Sequence, residues 1–190
     1  MSRKKNFEIR DAIERAMNIF WEQGYEKTSV NDLAKSMKIN KKSMYDTFGS
    51  KHELFLSSLN FYQNYIQEKI NSAINSNNTT EFQIKEIFEI SIEQGNKGCL
   101  LINSALELAS RDNQVKQIIE ANFESTEKLF YSLILLGQQK SEISANLDAK
   151  KIAKFFLNAW NGIRVSVKAG QPVEYLEEII NINLQKLKEV

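Results

Sequence analysis

A short stretch near the start of the chain concentrates side chains that bind phosphate and the edges of bases. Residues 39–55 read INKKSMYDTFGSKHELF and contain three lysines, two serines, a tyrosine and the only histidine of the protein. Lysine ammonium groups neutralise phosphates, and Ser or Tyr hydroxyl groups reach phosphates and base edges. The chemistry that this stretch favours is therefore the binding of nucleic acid.

The rest of the sequence lacks the usual patterns of catalytic and metal sites. One cysteine and one histidine exclude a multi-cysteine zinc site and a paired-histidine motif. Neither a phosphate-binding glycine loop nor a G-x-G-x-x-G or G-x-S-x-G motif is present. We therefore expect no enzyme, no metal and no cofactor.

Charge and composition indicate where the protein acts. The net charge is +1, but residues 1–55 carry eleven Lys and Arg against eight Asp and Glu, including the basic cluster Arg3-Lys4-Lys5. The lone cysteine fits a reducing compartment. Because neither a secretory signal nor a membrane-spanning apolar run is found, we predict a cytoplasmic protein without a membrane partner.

Helical periodicity dominates the chain. One proline and seven glycines are too few for a β-sandwich or barrel, and no stretch alternates like a strand. We predict an all-α fold of about nine helices, in which NSNNTT (75–80) is the best linker. Capping predicts helix starts at Thr28, Asn40 and Ser50, where Glu53 completes a capping box.

Two short predicted helices, 28–36 and 41–47, flank the turn Met37-Lys38-Ile39, which is the helix-turn-helix layout. A small core is expected from Ile13, Phe20, Val30, Leu33, Ile39, Met44 and Phe48. The predicted DNA-binding residues are Thr28, Ser29, Asn40, Lys41, Lys42, Ser43, Tyr45, Asp46 and Lys51. His52 is expected in solvent, where it can contact phosphate. The alternative interpretation is a solvated lysine face over a helical core.

The residues that carry this pattern resemble a known family. They are Gly24-Tyr25, Thr28-Ser29-Val30-Asn31-Asp32-Leu33-Ala34, Ile39-Asn40-Lys41-Lys42-Ser43-Met44-Tyr45 and Phe48-Gly49-Ser50-Lys51-His52-Glu53-Leu54-Phe55. Their order is similar to the DNA-binding region of TetR-family transcriptional regulators. The resemblance implies a helix-turn-helix DNA-binding domain over 1–50 and a helical ligand-binding and dimerisation domain over 51–190.

This sequence departs from the family pattern in the turn and on the second short helix. The turn glycine of the family is Lys38 here, so a lysine is expected to take a positive φ. Lys42 replaces a common glycine, and Asp46 follows the family's tyrosine. The operator sequence therefore stays open.

The resemblance also implies a small-molecule pocket in the larger domain. The candidate lining residues are Phe61, Tyr62, Tyr65, Phe88, Cys99, Phe123, Phe130, Trp160 and Arg164. For the apolar members, plain helix packing is the alternative. Arg164 lies one turn from Trp160 on a mostly apolar helix, where it pairs either with a ligand anion or with a carboxylate at a surface or dimer interface.

Cys99 has two interpretations. It can be a small buried hydrophobe, or a reactive thiolate favoured by a helix N-terminus and the preceding Lys97. Residues 98–107, GCLLINSALE, resemble a stretch found in a large subset of the family, which includes members that respond to electrophiles or oxidants. We therefore keep an oxidant or electrophile sensor as a hypothesis.

The last two predicted helices, 149–168 and 173–188, carry apolar stripes that suit a four-helix dimer interface. Two-fold symmetry would make the DNA site palindromic. We expect a homodimeric repressor that leaves double-stranded palindromic DNA when an effector binds. The alternatives are a helical sensor protein without sequence-specific DNA binding and, less favoured by the motifs, an enzyme on a helical scaffold.

Overall fold

The computed structural model describes residues 2–74 and 77–188, with side chains from Ile9 onward in the first helix. The side chains of the predicted basic cluster Arg3-Lys4-Lys5 and residues 75 and 76 of the predicted linker lie outside the described part. The remaining linker residues lead into a helix, because the Thr79 side chain accepts a hydrogen bond from the Phe82 N–H and caps the helix that starts at Thr80.

The predicted all-α fold of about nine helices is confirmed. Nine α-helices and no strand occur in the described ranges, and a short 3₁₀ turn covers Gly95–Lys97. The helices are α1 Ser2–Gln23, α2 Val30–Met37, α3 Lys41–Phe48, α4 Lys51–Ala73, α5 Thr80–Glu93, α6 Leu100–Leu108, α7 Asn113–Gln139, α8 Ala149–Lys168 and α9 Val173–Gln185.

The chain divides into two compact units, and each takes its residues from two stretches of the sequence. The first unit comprises 1–66 and 103–119, and the second comprises 67–102 and 120–190. Helices α4, α6 and α7 therefore contribute residues to both units. The predicted division of the chain after residue 50 stays a prediction.

Aromatic side chains of α1 and α4 form the core of the first unit. Phe20 meets Phe55 edge-on with ring centroids 4.9 Å apart, and Trp21 meets Tyr62 in the same way at 4.9 Å. From α2 and α3, Leu33 and Met44 are completely buried. The other predicted core residues Ile13, Val30, Ile39 and Phe48 are only half-buried, because such short helices leave the edges of their core partly exposed.

The core of the second unit is a cluster of aromatic rings. Phe88 of α5, Phe130 of α7 and Phe156 of α8 contact one another with centroids 5.8–6.0 Å apart. Trp160 of α8 adds an edge-on contact with Phe130 at 6.0 Å. All four side chains are at most 1% exposed, so this cluster holds three helices together.

Candidate nucleic-acid interface

The N-cap of helix α2 lies one residue later than the sequence suggested, and the helix itself begins at Val30. Ser29 is its N-cap: the hydroxyl accepts from the Asp32 N–H at 3.1 Å, and the Asp32 carboxylate accepts from the Ser29 N–H at 3.1 Å. The prediction that Thr28 caps this helix was wrong. Thr28 is 1% exposed and donates its hydroxyl to the Gly24 carbonyl, so its side chain ties down the end of α1.

The turn between α2 and α3 is made by the residue that departs from the family pattern. Lys38 has φ 58° and ψ 36°, the left-handed helical conformation, and its N–H donates to the carbonyls of Ala34 and Lys35. The predicted positive φ is confirmed. Since a side chain with a Cβ pays a steric cost there, Lys38 stores local strain that a glycine would not.

Helix α3 is held by one buried anchor and one cap. Met44 is completely buried. The Asn40 side chain accepts from the Ser43 N–H at 2.8 Å, which confirms the predicted cap. The opposite side of the helix faces solvent.

The predicted DNA-binding side chains of α3 share this outer surface. Lys41, Lys42, Tyr45 and Asp46 are exposed, with Tyr45 at 47%, whereas Ser43 is half-buried. An exposed tyrosine beside two lysines is not explained by packing within the first unit. We name Lys41, Lys42 and Tyr45 the α3 surface.

The connection from α3 to α4 is tight. Gly49 has φ 76° and ψ −67°, a backbone conformation that residues with a Cβ rarely adopt, so glycine is favoured at this position. The Ser50 hydroxyl accepts from the Glu53 N–H at 3.0 Å. This is one half of the predicted capping box, and the Ser50 N–H donates instead to the Phe48 carbonyl at 2.9 Å.

Lys51 is held by an aromatic ring. Its Nζ lies 4.3 Å from the centroid of Tyr25, which also packs against Phe55 at 4.8 Å. Burial, and then the negative charges of Glu26 and Asp112, raise the pKa of Tyr25. The ring therefore stays neutral and can attract the ammonium group.

His52 does not lie free in solvent, and that prediction was wrong. Its Nε2 is 2.7 Å from Oδ2 of Asp112, and the two side chains are only 29% and 18% exposed. The other Asp112 oxygen accepts from the N–H groups of Gln114 and Val115 at the start of α7. Burial favours protonation of Asp112, but the bonds from Val115 and His52 outweigh it, and the pKa of this carboxyl lies below its ordinary value.

A second carboxylate holds the turn that follows α1, and sequence reasoning missed it. Glu107 of α6 accepts hydrogen bonds from the backbone N–H groups of Tyr25 at 3.0 Å and Glu26 at 2.8 Å. Gly24 has φ 81° and leaves room for this carboxylate. Arg111 adds an exposed ion pair with Glu26 at 2.8 Å. Glu107 is the one charged residue of α6, and that was the signal available in the sequence.

The candidate ligand-binding residues are divided between the two units. Phe61, Tyr62 and Tyr65 belong to the first unit. There Tyr62 is 1% exposed and Tyr65 is 37% exposed, and the Arg10 guanidinium lies 5.7 Å from the Phe61 ring centroid. These contacts are what ordinary helix packing predicts.

Four candidates meet in the second unit. Phe88, Phe130 and Trp160 belong to the aromatic cluster, and the guanidinium carbon of Arg164 lies 3.3 Å from the Trp160 ring centroid. Cys99, just before α6, is 2% exposed. Phe123 is separate from them and lines an open groove of about 520 Å³ with charged residues of α7 and α8.

Metal ligands are not brought together in the part of the chain that the structure covers, where no three His, Cys, Asp or Glu side chains are grouped to hold an ion.

None of the helices described here is long and apolar enough to cross a membrane.

Comparisons with known proteins agree with this arrangement. Residues 12–57 match the model of bacterial regulatory proteins of the tetR family, and residues 84–182 match the tetracyclin repressor-like C-terminal domain. The HTH-type transcriptional regulator YezE of Bacillus subtilis is 26% identical over 98% of this chain and 100% of its own length. The HTH-type transcriptional repressor ComR of Escherichia coli is 23% identical over 96% of this chain and 90% of its own length.

Solved structures show the same fold. A TetR-family regulator from Cytophaga hutchinsonii superposes with a TM-score of 0.88 at 18% identity, covering 99% of this chain and 96% of its own. A cysteine mutant of the regulator CifR, complexed with a 26-base-pair double-strand operator DNA, superposes with a TM-score of 0.83 at 25% identity. The match covers 93% of this chain and 95% of the CifR chain. With both family models matched and the helix-turn-helix in place, the chain belongs to the TetR family of bacterial transcriptional regulators.

Proposed function

We propose that this protein is a homodimeric repressor that binds a palindromic double-stranded operator and leaves it when a small-molecule effector binds. The observation that carries the proposal is the α3 surface, an exposed tyrosine and two lysines on the second helix of a helix-turn-helix. In such motifs the second helix lies in the major groove. CifR, which shares the fold, is bound to operator DNA in its solved structure.

The proposed contacts follow from what each side chain is free to do. Lys41 and Lys42 would neutralise phosphates, and Tyr45 and Asp46 would reach base edges or phosphates. Ser29, Asn40 and Ser43 stand at helix starts, where backbone N–H groups bind phosphate. Thr28 would contribute only its backbone, since its hydroxyl is already bonded to Gly24.

Lys51, at the start of α4, is positioned by an aromatic ring. Its ammonium group rests on the Tyr25 ring at 4.3 Å and is half-buried. This contact orders the side chain beside the start of α4, so a phosphate would meet a positioned charge.

The proposed dimer uses the outer face of α8 and α9. The exposed large apolar residues of these two helices are between 38% and 50% exposed: Phe155, Val165, Val173, Tyr175 and Ile182. A groove of about 320 Å³ runs along this face, and a Cβ added at Gly162 would meet nothing within 4 Å. Exposed apolar area of this kind marks a protein interface, and two helices from each subunit would form a four-helix contact.

We further propose the larger domain, 51–190 in the sequence-based division, as the effector-binding part and 1–50 as the DNA-binding part. The electrophile or oxidant hypothesis rests on Cys99, which is 2% exposed, so a reagent must open the structure locally to reach it. It is tested by Cys99→Ser: DNA release by an alkylating reagent should disappear, and unchanged release would exclude Cys99 as the sensor.

The proposal is tested by selecting duplexes from a random pool with the full-length protein and sequencing those retained. A palindromic consensus, bound by a species of twice the chain mass in sedimentation, is the expected result. Retention without any consensus would favour the alternative, a helical ligand-binding sensor without sequence-specific DNA binding.

A further inference from the structure

Arg164 is a buried cation that contacts an aromatic ring. It is the only charged residue on the buried face of α8 and is 6% exposed. Its guanidinium carbon lies 3.3 Å from the Trp160 ring centroid, and it makes no ion pair with any side chain that the structure describes. A buried charge is costly unless an opposite charge compensates it.

Ser91 of α5 and Trp160 of α8 lie at the same level along two neighbouring helices. The ring centroids of Phe88 in α5 and Phe156 in α8 are 5.8 Å apart. Gly98, which follows α5 in the chain, packs near Arg164 and Lys168 in the last turns of α8. The two helices therefore run in the same direction. Ser91 follows Phe88 by one turn, and Trp160 follows Phe156 by one turn, which puts Ser91 and Trp160 at one level.

Both residues at this level carry a buried polar atom without a partner in the described structure. These atoms are the Ser91 hydroxyl oxygen and the Trp160 indole nitrogen. The indole N–H is a donor only, and the hydroxyl can donate. Ser91 and Trp160 each lie one helical turn beyond a ring of the aromatic cluster, and the Arg164 guanidinium contacts Trp160. We name Ser91, Trp160 and Arg164 the donor layer.

We propose that the donor layer binds the carboxylate, or a comparable oxyanion, of a small organic molecule. A guanidinium pairs with a carboxylate through two parallel N–H donors, and its flat face is already fixed on the indole. The apolar body of the ligand would pack on the aromatic cluster below. That this anion is the effector rests on the proposed function, whereas the binding of the anion does not.

The experiment uses benzoate, the smallest probe with a ring and a carboxylate, and benzamide, its neutral isostere. Trp21 and Trp160 are the two tryptophans of the chain, so Trp21→Phe leaves Trp160 as the sole indole reporter. Fluorescence titrations and thermal unfolding compare this protein with versions that also carry Arg164→Met or, as matched control, Lys154→Met. Lys154 lies on the exposed side of the same helix. Its replacement by Met removes one positive charge, as Arg164→Met does.

We expect benzoate to change the Trp160 emission and raise the unfolding temperature, with benzamide doing neither. Arg164→Met should weaken benzoate binding at least about tenfold, as expected for losing a charge-assisted contact, and should not lower the unfolding temperature without ligand. Lys154→Met should bind benzoate like its parent. An unchanged benzoate response in Arg164→Met, or no response in any version, would overturn the proposal.

Two further readouts separate this site from other roles of Arg164. If Arg164→Met strongly lowers the unfolding temperature or splits a dimer into monomers, the guanidinium pairs with protein and the proposal is wrong. Binding of the selected duplex without benzoate is measured in parallel. If the Trp21→Phe protein does not bind the duplex, the proposed function is contradicted. The benzoate titration still tests the donor layer, because it does not depend on DNA binding.

Discussion

The carboxylate of Glu107 lies 3.0 Å from the backbone nitrogen of Tyr25, although the two residues are 82 positions apart in the sequence. Its other oxygen accepts from the next N–H, that of Glu26, at 2.8 Å. One side chain at the end of α6 thus satisfies two backbone donors just after α1. These hydrogen bonds connect the segment before α2 to the end of α6 within the first unit. We call the turn between α6 and α7, residues 109–112, the α6–α7 elbow.

Replacing the Glu107 carboxylate should lower the free energy of unfolding, and more so with Ala than with Gln. Glu107→Ala leaves both backbone donors without their acceptor, and we expect a loss of about 1–2 kcal/mol in the free energy of unfolding. Glu107→Gln keeps one acceptor oxygen and should lose about half as much. Urea unfolding measures both, with Glu178→Ala on the exposed side of α9 as control. Equal stability of all four proteins would mean that these hydrogen bonds contribute nothing.

The turn at Lys38 should accept glycine with a gain in stability. Its φ of 58° is costly for any residue with a Cβ, so Lys38→Gly should raise the free energy of unfolding by up to about 1 kcal/mol. Lys38→Ala removes the charge but keeps the Cβ, and should show no such gain. A gain of the same size in both variants would assign the effect to the lysine charge.

Loss of the cap on α3 should affect both stability and DNA binding. Asn40→Ala removes the acceptor for the Ser43 N–H, and we expect a loss of about 1 kcal/mol in unfolding. Asn40→Ser, which can cap in the same way, should retain most of it. Because the cap orders the helix that carries the α3 surface, operator affinity should fall in the alanine variant and recover in the serine variant. Full affinity in Asn40→Ala would separate the cap from DNA binding.

Acid should weaken the protein partly through Asp112. Its folded pKa lies below the ordinary value of 3.8, so the carboxylate stabilises the fold above about pH 4, and this contribution is lost as the pH falls through the folded pKa. Asp112→Asn should be less stable than wild type at neutral pH and should lose less on acidification. Unfolding free energies from pH 7 to pH 2.5 test this, and parallel curves for the two proteins would rule it out.

Local patterns in the sequence predicted the helices well. The 3.6-residue periodicity and the Asn40 cap predicted α3 to within one residue, because both depend on neighbours in the chain. Lys38 was predicted at positive φ because the family pattern has a glycine at this position of the turn. The start of α2 was missed by two residues, because Thr28 and Ser29 are both good N-cap residues. Only the fold shows that the Thr28 hydroxyl donates to the Gly24 carbonyl instead.

Contacts between distant segments could not be predicted from the sequence. His52 beside Lys51 at a helix start suggested a solvated side chain, and only the docking of the α6–α7 elbow brings Asp112 to 2.7 Å from it. Glu107 was visible as a lone charge on an apolar helix, but its partners are backbone atoms, which leave no trace in residue types. The candidate ligand residues were chosen by aromatic character, which does not distinguish a packed ring from a pocket wall.

The most direct test of the central claim is the salt dependence of binding to the selected palindromic duplex. The double variant Lys41→Ala/Lys42→Ala is compared with wild type and with Lys150→Ala/Lys151→Ala, which removes two exposed lysines at the start of α8. If the α3 surface neutralises phosphates, the first variant should bind more weakly, and its slope of log affinity against log salt should fall by about two units. The α8 variant should match wild type. Equal slopes for all three proteins would contradict the claim that α3 reads DNA.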